Sequence, residues 1–145
     1  MAETQSHSGA VAAASARSGR YRWVVVALLF AATAINYVDR QMIGVLKPTL
    51  SRELVWSEGD YANIVFWFQV AYAVGYVSFG RIVDLLGARL GYALAIVIWT
   101  ISHMAHGLAS GVASFAAARF GLGIGESGNF PSGIRAVTDW FPQRE

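Results

Sequence analysis

The stretch YANIVFWFQVAYAVGYVSFG, residues 61–80, decides the fold class because it contains no Asp, Glu, Lys or Arg. An α-helix of about 20 residues rises about 30 Å, which is the thickness of the hydrocarbon core of a bilayer. The apolar residues run continuously and do not alternate with polar ones, as they would in a membrane β-strand. The segment therefore predicts a transmembrane α-helix.

Further stretches have the same character. One uncharged run covers residues 23–38, and a longer one covers 90–118 with turn-forming residues at 107–114. We expect the longer run to divide, its second part continuing past Arg119. The fold class predicted is an all-α integral membrane protein with four transmembrane helices, after a polar, flexible cytoplasmic tail at 1–20. The predicted spans are 22–47, 60–82, 88–109 and 111–136.

The composition excludes several classes of protein. Hydrophobic residues make up 55% of the 145 residues and charged residues 14%, whereas soluble domains carry about a quarter charged residues. The net charge of +2, with dispersed basic residues, argues against disorder and nucleic-acid binding. Because the chain has no cysteine, it has no disulfide framework or Cys-ligated metal site. No nucleophile–base pair or metal triad can be assembled, so we expect no enzyme activity, no cofactor and no metal.

The first span allows one alternative. Arginines at positions 17, 20 and 22 followed by apolar residues resemble a secretory signal, with Ala32-Thr33-Ala34 as its cleavage site. We favour a retained helix, because residues 36–40 continue the helical pattern and three more spans follow.

The charges of the loops predict the orientation. With the N-terminus inside, only Lys47 and Arg52 lie outside, and the other loop arginines lie in cytoplasmic segments. This bias satisfies the positive-inside rule, so we expect a multi-pass protein of the cell inner (plasma) membrane with a cytoplasmic N-terminus. The cytoplasmic set is Arg17, Arg20, Arg22, Arg81, Arg89, Arg135 and Arg144.

Four charged residues outside the loop segments lie well within the predicted spans: Asp39 and Arg40 in the first, and Arg119 and Glu126 in the fourth. Each such charge costs about 3 kcal/mol to insert, so intramembrane ionisable groups usually face a cavity and serve function. Two helical turns separate Arg119 from Glu126, which places both on one face. Polar faces are also expected on the first helix, at Asn36, Asp39, Arg40 and Ile43, and on the second, at Gln69, Tyr72 and Tyr76.

Arginine and carboxyl groups in one cavity suit the transport of an organic anion together with a proton. A guanidinium binds a carboxylate in bidentate fashion, and a carboxyl group in a low-dielectric cavity exchanges a proton near neutral pH. The alternative is that the carboxylates merely neutralise the arginines and hold the helices together. The spacing alone leaves both readings open.

Three motifs carry a resemblance to a known family: NYVDR at 36–40, GRIVDLLGAR at 80–89, and RFGLGIGE at 119–126. Over residues 21–145 the chain resembles the major facilitator superfamily, specifically its anion:cation symporter branch of hexuronate and sugar-acid transporters. The resemblance implies twelve helices in two six-helix bundles, with the substrate between the bundles. It also implies that residues 21–145 are a truncated N-terminal bundle.

The resemblance implies roles for individual residues as well. In similar sugar-acid transporters, arginines contact the substrate carboxylate, carboxylates couple protons, and tyrosines line the sugar site. The matching positions are Arg40 and Arg119 for the substrate carboxylate, Asp39 and Glu126 for the protons, and Tyr37 and Tyr72 for the sugar.

The segment between the second and third spans matches the gating-loop motif of the superfamily. Leu85 and Ala88 stand at two positions that are basic in that motif. The matching residues are Gly80, Asp84, Gly87 and Arg89.

The function implied is proton-coupled symport of an organic anion, a hexuronate or related sugar acid, by alternating access. The expected partners are the anion, protons, the lipid bilayer and the remaining helices of a parent transporter. Because four spans end at Glu145, we expect an N-terminal fragment that is inactive alone. One alternative is a small four-helix dimeric carrier, although buried arginines would repel the cationic drugs such carriers favour. Another is a non-transporting membrane interaction protein.

Weaker signals have structural interpretations. Glycines at positions 121, 123, 125 and 128 predict close helix packing and not a nucleotide loop, because no strand precedes them. His103 and His106 lack a third metal ligand and are predicted to be interfacial or packed. Trp67 is predicted to face lipid or the core, and tryptophans at 23, 56, 99 and 140 are predicted to be interfacial anchors.

Overall fold

The computed structural model describes the backbone of residues 2–141 and the side chains of residues 21–141. In this part of the chain every regular element is an α-helix, so the prediction of an all-α fold is confirmed. Two stretches here, Tyr21–Glu53 and Glu58–His106, are long and apolar enough to cross a membrane. The helices are α1 (Ala2–Glu53), α2 (Glu58–His106), α3 (Val112–Ser127) and α4 (Asn129–Trp140).

Helix α1 begins at Ala2, well before the start predicted at residue 22. The segment 2–20, predicted to be a flexible polar tail, is therefore helical in the structure. Its many alanines favour this, because alanine has the highest helix propensity. Extending an existing apolar helix also avoids the cost of a new nucleus.

Helix α2 consists of two limbs that meet at Gly87. This residue has φ +80° and ψ +165°, a conformation that glycine alone adopts at low cost. The chain folds back there, so that a Cβ on Gly91 would stand 2.6 Å from Cγ2 of Val83. We call residues 58–86 the first limb and residues 88–106 the second limb. The break lies between the second and third predicted spans.

The first limb starts with a capping box. The hydroxyl of Ser57 accepts the Asp60 amide N–H at 3.1 Å, and the Asp60 carboxylate accepts the Ser57 amide N–H at 3.0 Å. The turn before this cap carries Trp56 inward, where it is 6% exposed and its ring lies edge-on to Phe115. Trp56, predicted to be an interfacial anchor, is therefore part of the core at this end of the bundle.

Helix α3 packs against both limbs of α2 through its glycines. A Cβ on Gly123 would lie 2.7 Å from the carbonyl oxygen of Phe68 in the first limb. A Cβ on Gly121 would lie 2.6 Å from Oγ of Ser102 in the second limb, and one on Gly125 would overlap the backbone of Trp99. Side chains at these positions would force the helices apart, so the prediction that the glycines serve close packing is confirmed.

The fourth predicted span, 111–136, contains two helices, because α3 ends at Ser127 and α4 begins at Asn129. Pro131 explains the interruption, since it has no amide hydrogen and its ring clashes with the carbonyl four residues earlier. Gly128 between the helices keeps right-handed helical torsion angles, φ −73° and ψ −15°. At the interruption the helical turn is therefore locally tighter, and the chain does not reverse its direction.

Candidate functional site

Arg40 joins α1 to α2 and α3. Its Nε donates to Oε2 of Glu126 at 3.3 Å. Its Cζ lies 4.1 Å from the ring centroid of Tyr72 and 6.0 Å from that of Tyr37. A guanidinium against an aromatic face is attracted by the ring quadrupole and keeps its edge free for hydrogen bonds. Three other predicted site residues therefore lie around Arg40: Glu126, Tyr37 and Tyr72.

Glu126 lies on α3 and is fully buried, with 0% of its surface exposed. Its Oε2 accepts the bond from Arg40, whereas Oε1 has no hydrogen-bond partner among the described residues. A buried carboxylate oxygen without a donor is costly. The ion pair with Arg40 is therefore only partly satisfied.

Arg119 lies two turns before Glu126 on the same helix and is 6% exposed. Its Cζ stands 4.7 Å from the ring centroid of Phe68, which lies one turn before Tyr72 on α2. Its Nε has no hydrogen-bond partner in the described part of the chain. Arg119 is thus a desolvated cation with a free donor.

The two arginines open onto one cleft of about 190 Å³ between α1, the first limb of α2, and α3. We call it the arginine cleft. Its floor is cationic and its walls carry neutral hydrogen-bonding groups, an arrangement that favours a small polar anion. The polar and aromatic residues that line it are Arg40, Gln41, Tyr61, Phe68, Gln69 and Arg119.

Asp39 points away from the arginine cleft. It is 9% exposed, and its Oδ2 accepts a hydrogen bond of 3.0 Å from Nε1 of Trp99. The same oxygen lies 3.7 Å from Nδ1 of His103. Asp39 and Arg40 were expected to face one cavity, but successive helical residues point about 100° apart, so each meets a different neighbour. Asp39 lines a second cleft, of about 300 Å³, whose wall also includes Arg119.

The residues of the predicted gating loop have separate positions. Gly87 makes the reversal between the limbs of α2, and Gly80 has open space where a Cβ would stand. Asp84 and Arg89 are exposed, and no ion pair joins either of them to another described residue. Arg89 lines a groove of about 590 Å³ beside Tyr92 and Trp140.

Sequence reasoning missed Trp99 as a functional neighbour and interpreted it as an interfacial anchor. A signal was present, because Trp99 and His103 are four residues apart and share a helix face. A second polar group was also missed: the hydroxyl of Tyr92 donates to Oδ1 of Asn129 at 2.8 Å, and Nδ2 of Asn129 donates to Oγ1 of Thr33 at 3.2 Å. This group links α1, α2 and α4 and lies outside the arginine cleft.

Comparison with known proteins gives a family match. Residues 29–145 match the Major Facilitator Superfamily. The chain is 34% identical over 124 residues to the hexuronate transporter of Escherichia coli (strain K12), a match that covers 86% of this chain and 29% of that protein.

Two further relatives are also named for sugar acids. The galacturonate transporter of Dickeya chrysanthemi is 30% identical over 124 residues, covering 86% of this chain and 36% of that protein. The probable L-galactonate transporter of Escherichia coli (strain K12) is 31% identical over 131 residues, covering 90% of this chain and 29% of that protein. The chain thus spans about a third of the length of these relatives, from 29% to 36%. No solved structure matches it.

Proposed function

The chain belongs to the major facilitator superfamily, and on that premise we propose that it forms one wall of the substrate site of a proton-coupled sugar-acid symporter. The relatives named above are transporters and not enzymes, in agreement with the expectation that the chain is not an enzyme. The relatives carry hexuronate, galacturonate or galactonate in their names. The proposed substrate is accordingly a six-carbon sugar acid.

The observation that carries this proposal is the meeting of Arg40 and Arg119 in one cleft. They come from different helices and lie against the rings of Tyr72 and Phe68, at 4.1 Å and 4.7 Å. Two guanidinium groups, a buried one at Arg119 and a partly exposed one at Arg40, bind a carboxylate strongly and specifically. Both guanidinium groups line the cleft, and the sugar ring is proposed to lie beside Tyr37 and Tyr72, whose rings flank Arg40.

Glu126 is proposed as a proton-coupling group, because its carboxylate already forms an ion pair with the Arg40 guanidinium. While Glu126 is ionised, the substrate carboxylate competes with it for the Arg40 guanidinium. A proton on Glu126 weakens the ion pair and frees Arg40 for the substrate. Binding of the anion and uptake of the proton then support each other, which is the linkage that a symporter needs.

Asp39 is proposed as the second proton-coupling group, at a different place. It lies in contact with Trp99 and His103, outside the arginine cleft. Its carboxylate still shares a cleft wall with Arg119. A change of charge at Asp39 therefore acts on the substrate through the field at Arg119 and not by direct contact.

The orientation and the moving parts are also proposals. The N-terminus is assigned to the cytoplasm from the loop arginines, in the inner membrane of the cell. The motif at Gly80, Asp84, Gly87 and Arg89 then lies on the cytoplasmic side and gates the site. Alternating access needs a second wall that rocks against the first. We therefore propose that the 145 residues alone bind the anion without completing a transport cycle.

A binding measurement tests this proposal on the chain itself. The chain is reconstituted in lipid nanodiscs and titrated calorimetrically with glucuronate, galactonate and, as a neutral control, glucose. We expect binding of a sugar acid and not of glucose. Arg119→Gln should weaken binding about tenfold to a hundredfold, because it removes a charged hydrogen-bond donor. Arg135→Gln is the matched control, since it makes the same change at an arginine that pairs with Asp139 outside the cleft lining.

Three results would overturn the proposal or a part of it. Equal binding of glucose and glucuronate would show that the arginines do not select an anion. A change of oligomer size in Arg119→Gln, with no ligand effect, would favour the membrane interaction protein instead. Proton-driven uptake into liposomes by the 145 residues would overturn the statement that they do not transport alone.

A further inference from the structure

Gln69 places an amide without a hydrogen-bond partner inside a membrane-spanning segment. The side chain is exposed, lines the arginine cleft, and has no hydrogen bond to another described residue. An amide facing hydrocarbon would cost several kcal/mol. The cleft around Gln69 therefore suits water or a polar ligand.

The position of Gln69 relative to the two cations is specific. Arg119 lies over Phe68, the residue just before Gln69, and Arg40 lies over Tyr72, one turn after it. A carboxylate held between the two guanidinium groups lies beside this turn of the first limb. Gln69 lines the same cleft as both guanidinium groups, so a ligand whose carboxylate they hold brings its adjoining carbon atoms near this amide.

We propose that Gln69 recognises hydroxyl groups near the carboxylate and so restricts the site to hydroxylated acids. The inference rests on the proposed function and adds a specificity-determining residue to it. An amide offers a donor and an acceptor, as a hydroxyl does, so one Gln69 side chain can make both bonds to a sugar hydroxyl. Arginines alone would accept any carboxylate of suitable size.

The probe pair that isolates this effect is glucuronate and tetrahydropyran-2-carboxylate. The second compound keeps the ring and the carboxylate and lacks the hydroxyl groups. The variant is Gln69→Met, which keeps the length of the side chain and removes its hydrogen bonding. Because Gln69 is exposed, this change leaves the helix packing intact. The matched control is Asn63→Leu, an exposed amide on the same limb that does not line the cleft.

We expect Gln69→Met to weaken glucuronate binding about tenfold in nanodiscs, the size of one net hydrogen bond. Binding of tetrahydropyran-2-carboxylate should be unchanged in this variant, and Asn63→Leu should change neither. Equal losses for both ligands, or no loss for either, would overturn the role of Gln69. If the unmodified chain binds neither ligand, or if Arg119→Gln has no effect, the proposed function itself fails.

Discussion

The Nε atom of Arg40 lies 3.3 Å from Oε2 of Glu126, although 86 residues separate the two in the chain. The pair crosses from α1 to α3 in the middle of the bundle. It is the geometry expected of a structural ion pair, and also of a carboxylate that competes with a substrate for its arginine. The guanidinium of Arg119, which lines the cleft beside that of Arg40, favours the second role, because a purely structural pair does not need a second cation next to it.

Glu126→Gln separates these roles. Removing the competing charge should tighten glucuronate binding about tenfold, since charged hydrogen bonds contribute about 1.5–3 kcal/mol. The unmodified chain should bind more tightly as the pH falls and take up a proton, measured calorimetrically in two buffers of different ionisation heat. Glu126→Gln should bind without proton uptake, and Glu126→Asp, which keeps the charge, should retain it. Weaker binding by Glu126→Gln would contradict the competition.

Trp99→Phe should destabilise the chain by about 1–3 kcal/mol, because the buried Asp39 carboxylate loses its 3.0 Å donor. Thermal unfolding in detergent, followed by circular dichroism, measures the change. Adding Asp39→Asn should recover part of the loss, because a neutral amide costs less to bury. Trp67→Phe is the control, since Trp67 is 50% exposed and packs edge-on against Phe66. Equal losses in both tryptophan variants would refute a role for the bond to Asp39.

Gly125→Ala should lower the unfolding temperature through overpacking, which costs about 1–3 kcal/mol. The added methyl group meets the backbone of Trp99, which cannot turn aside as a flexible side chain would. Gly80→Ala is the matched control, because nothing lies within 4 Å of its Cβ position and alanine favours the helix. An unchanged melting temperature for Gly125→Ala would mean that α3 does not pack this closely on the second limb.

Gly87→Ala tests the reversal between the limbs of α2. No atom lies within 4 Å of the added Cβ, so any loss comes from the backbone torsion of φ +80°. This torsion costs a residue with a side chain about 1–3 kcal/mol. We expect a lower unfolding temperature than for Gly80→Ala, and closer to that of Gly125→Ala. If Gly87→Ala is as stable as Gly80→Ala, the turn has another conformation.

Several residues of the candidate site stand out in the sequence because they are unusual for their surroundings. Arg40, Arg119 and Glu126 are ionisable groups in apolar stretches, and such groups stand out in a sequence whose composition is otherwise that of a membrane protein. The spacing of Arg119 and Glu126 also predicted a common helix face, and both lie in or beside the arginine cleft. The glycines of α3 predicted close packing by the same reasoning.

Other features depended on contacts between distant segments. The sequence did not reveal that the Asp39 carboxylate accepts a hydrogen bond from Trp99. The partner of Asp39 depends on which helix packs against its face of α1. Trp56 resembles an interfacial residue in composition, yet the turn after α1 buries it against Phe115. The extension of α1 to Ala2 does not follow from the polar composition of residues 2–20, although the alanines of this segment favour a helix.

The sequence by itself determined that the chain is helical, belongs in a membrane and carries buried arginines and carboxylates, because hydrophobicity and charge are properties of single residues and short windows. The tertiary structure alone decided the partners: Glu126 for Arg40, Phe68 for Arg119, and Trp99 for Asp39. Which side chains meet depends on the distance between the helices and on the face that each helix turns toward its neighbour. The glycines of α3 allow the close approach, and the reversal at Gly87 positions the two limbs of α2.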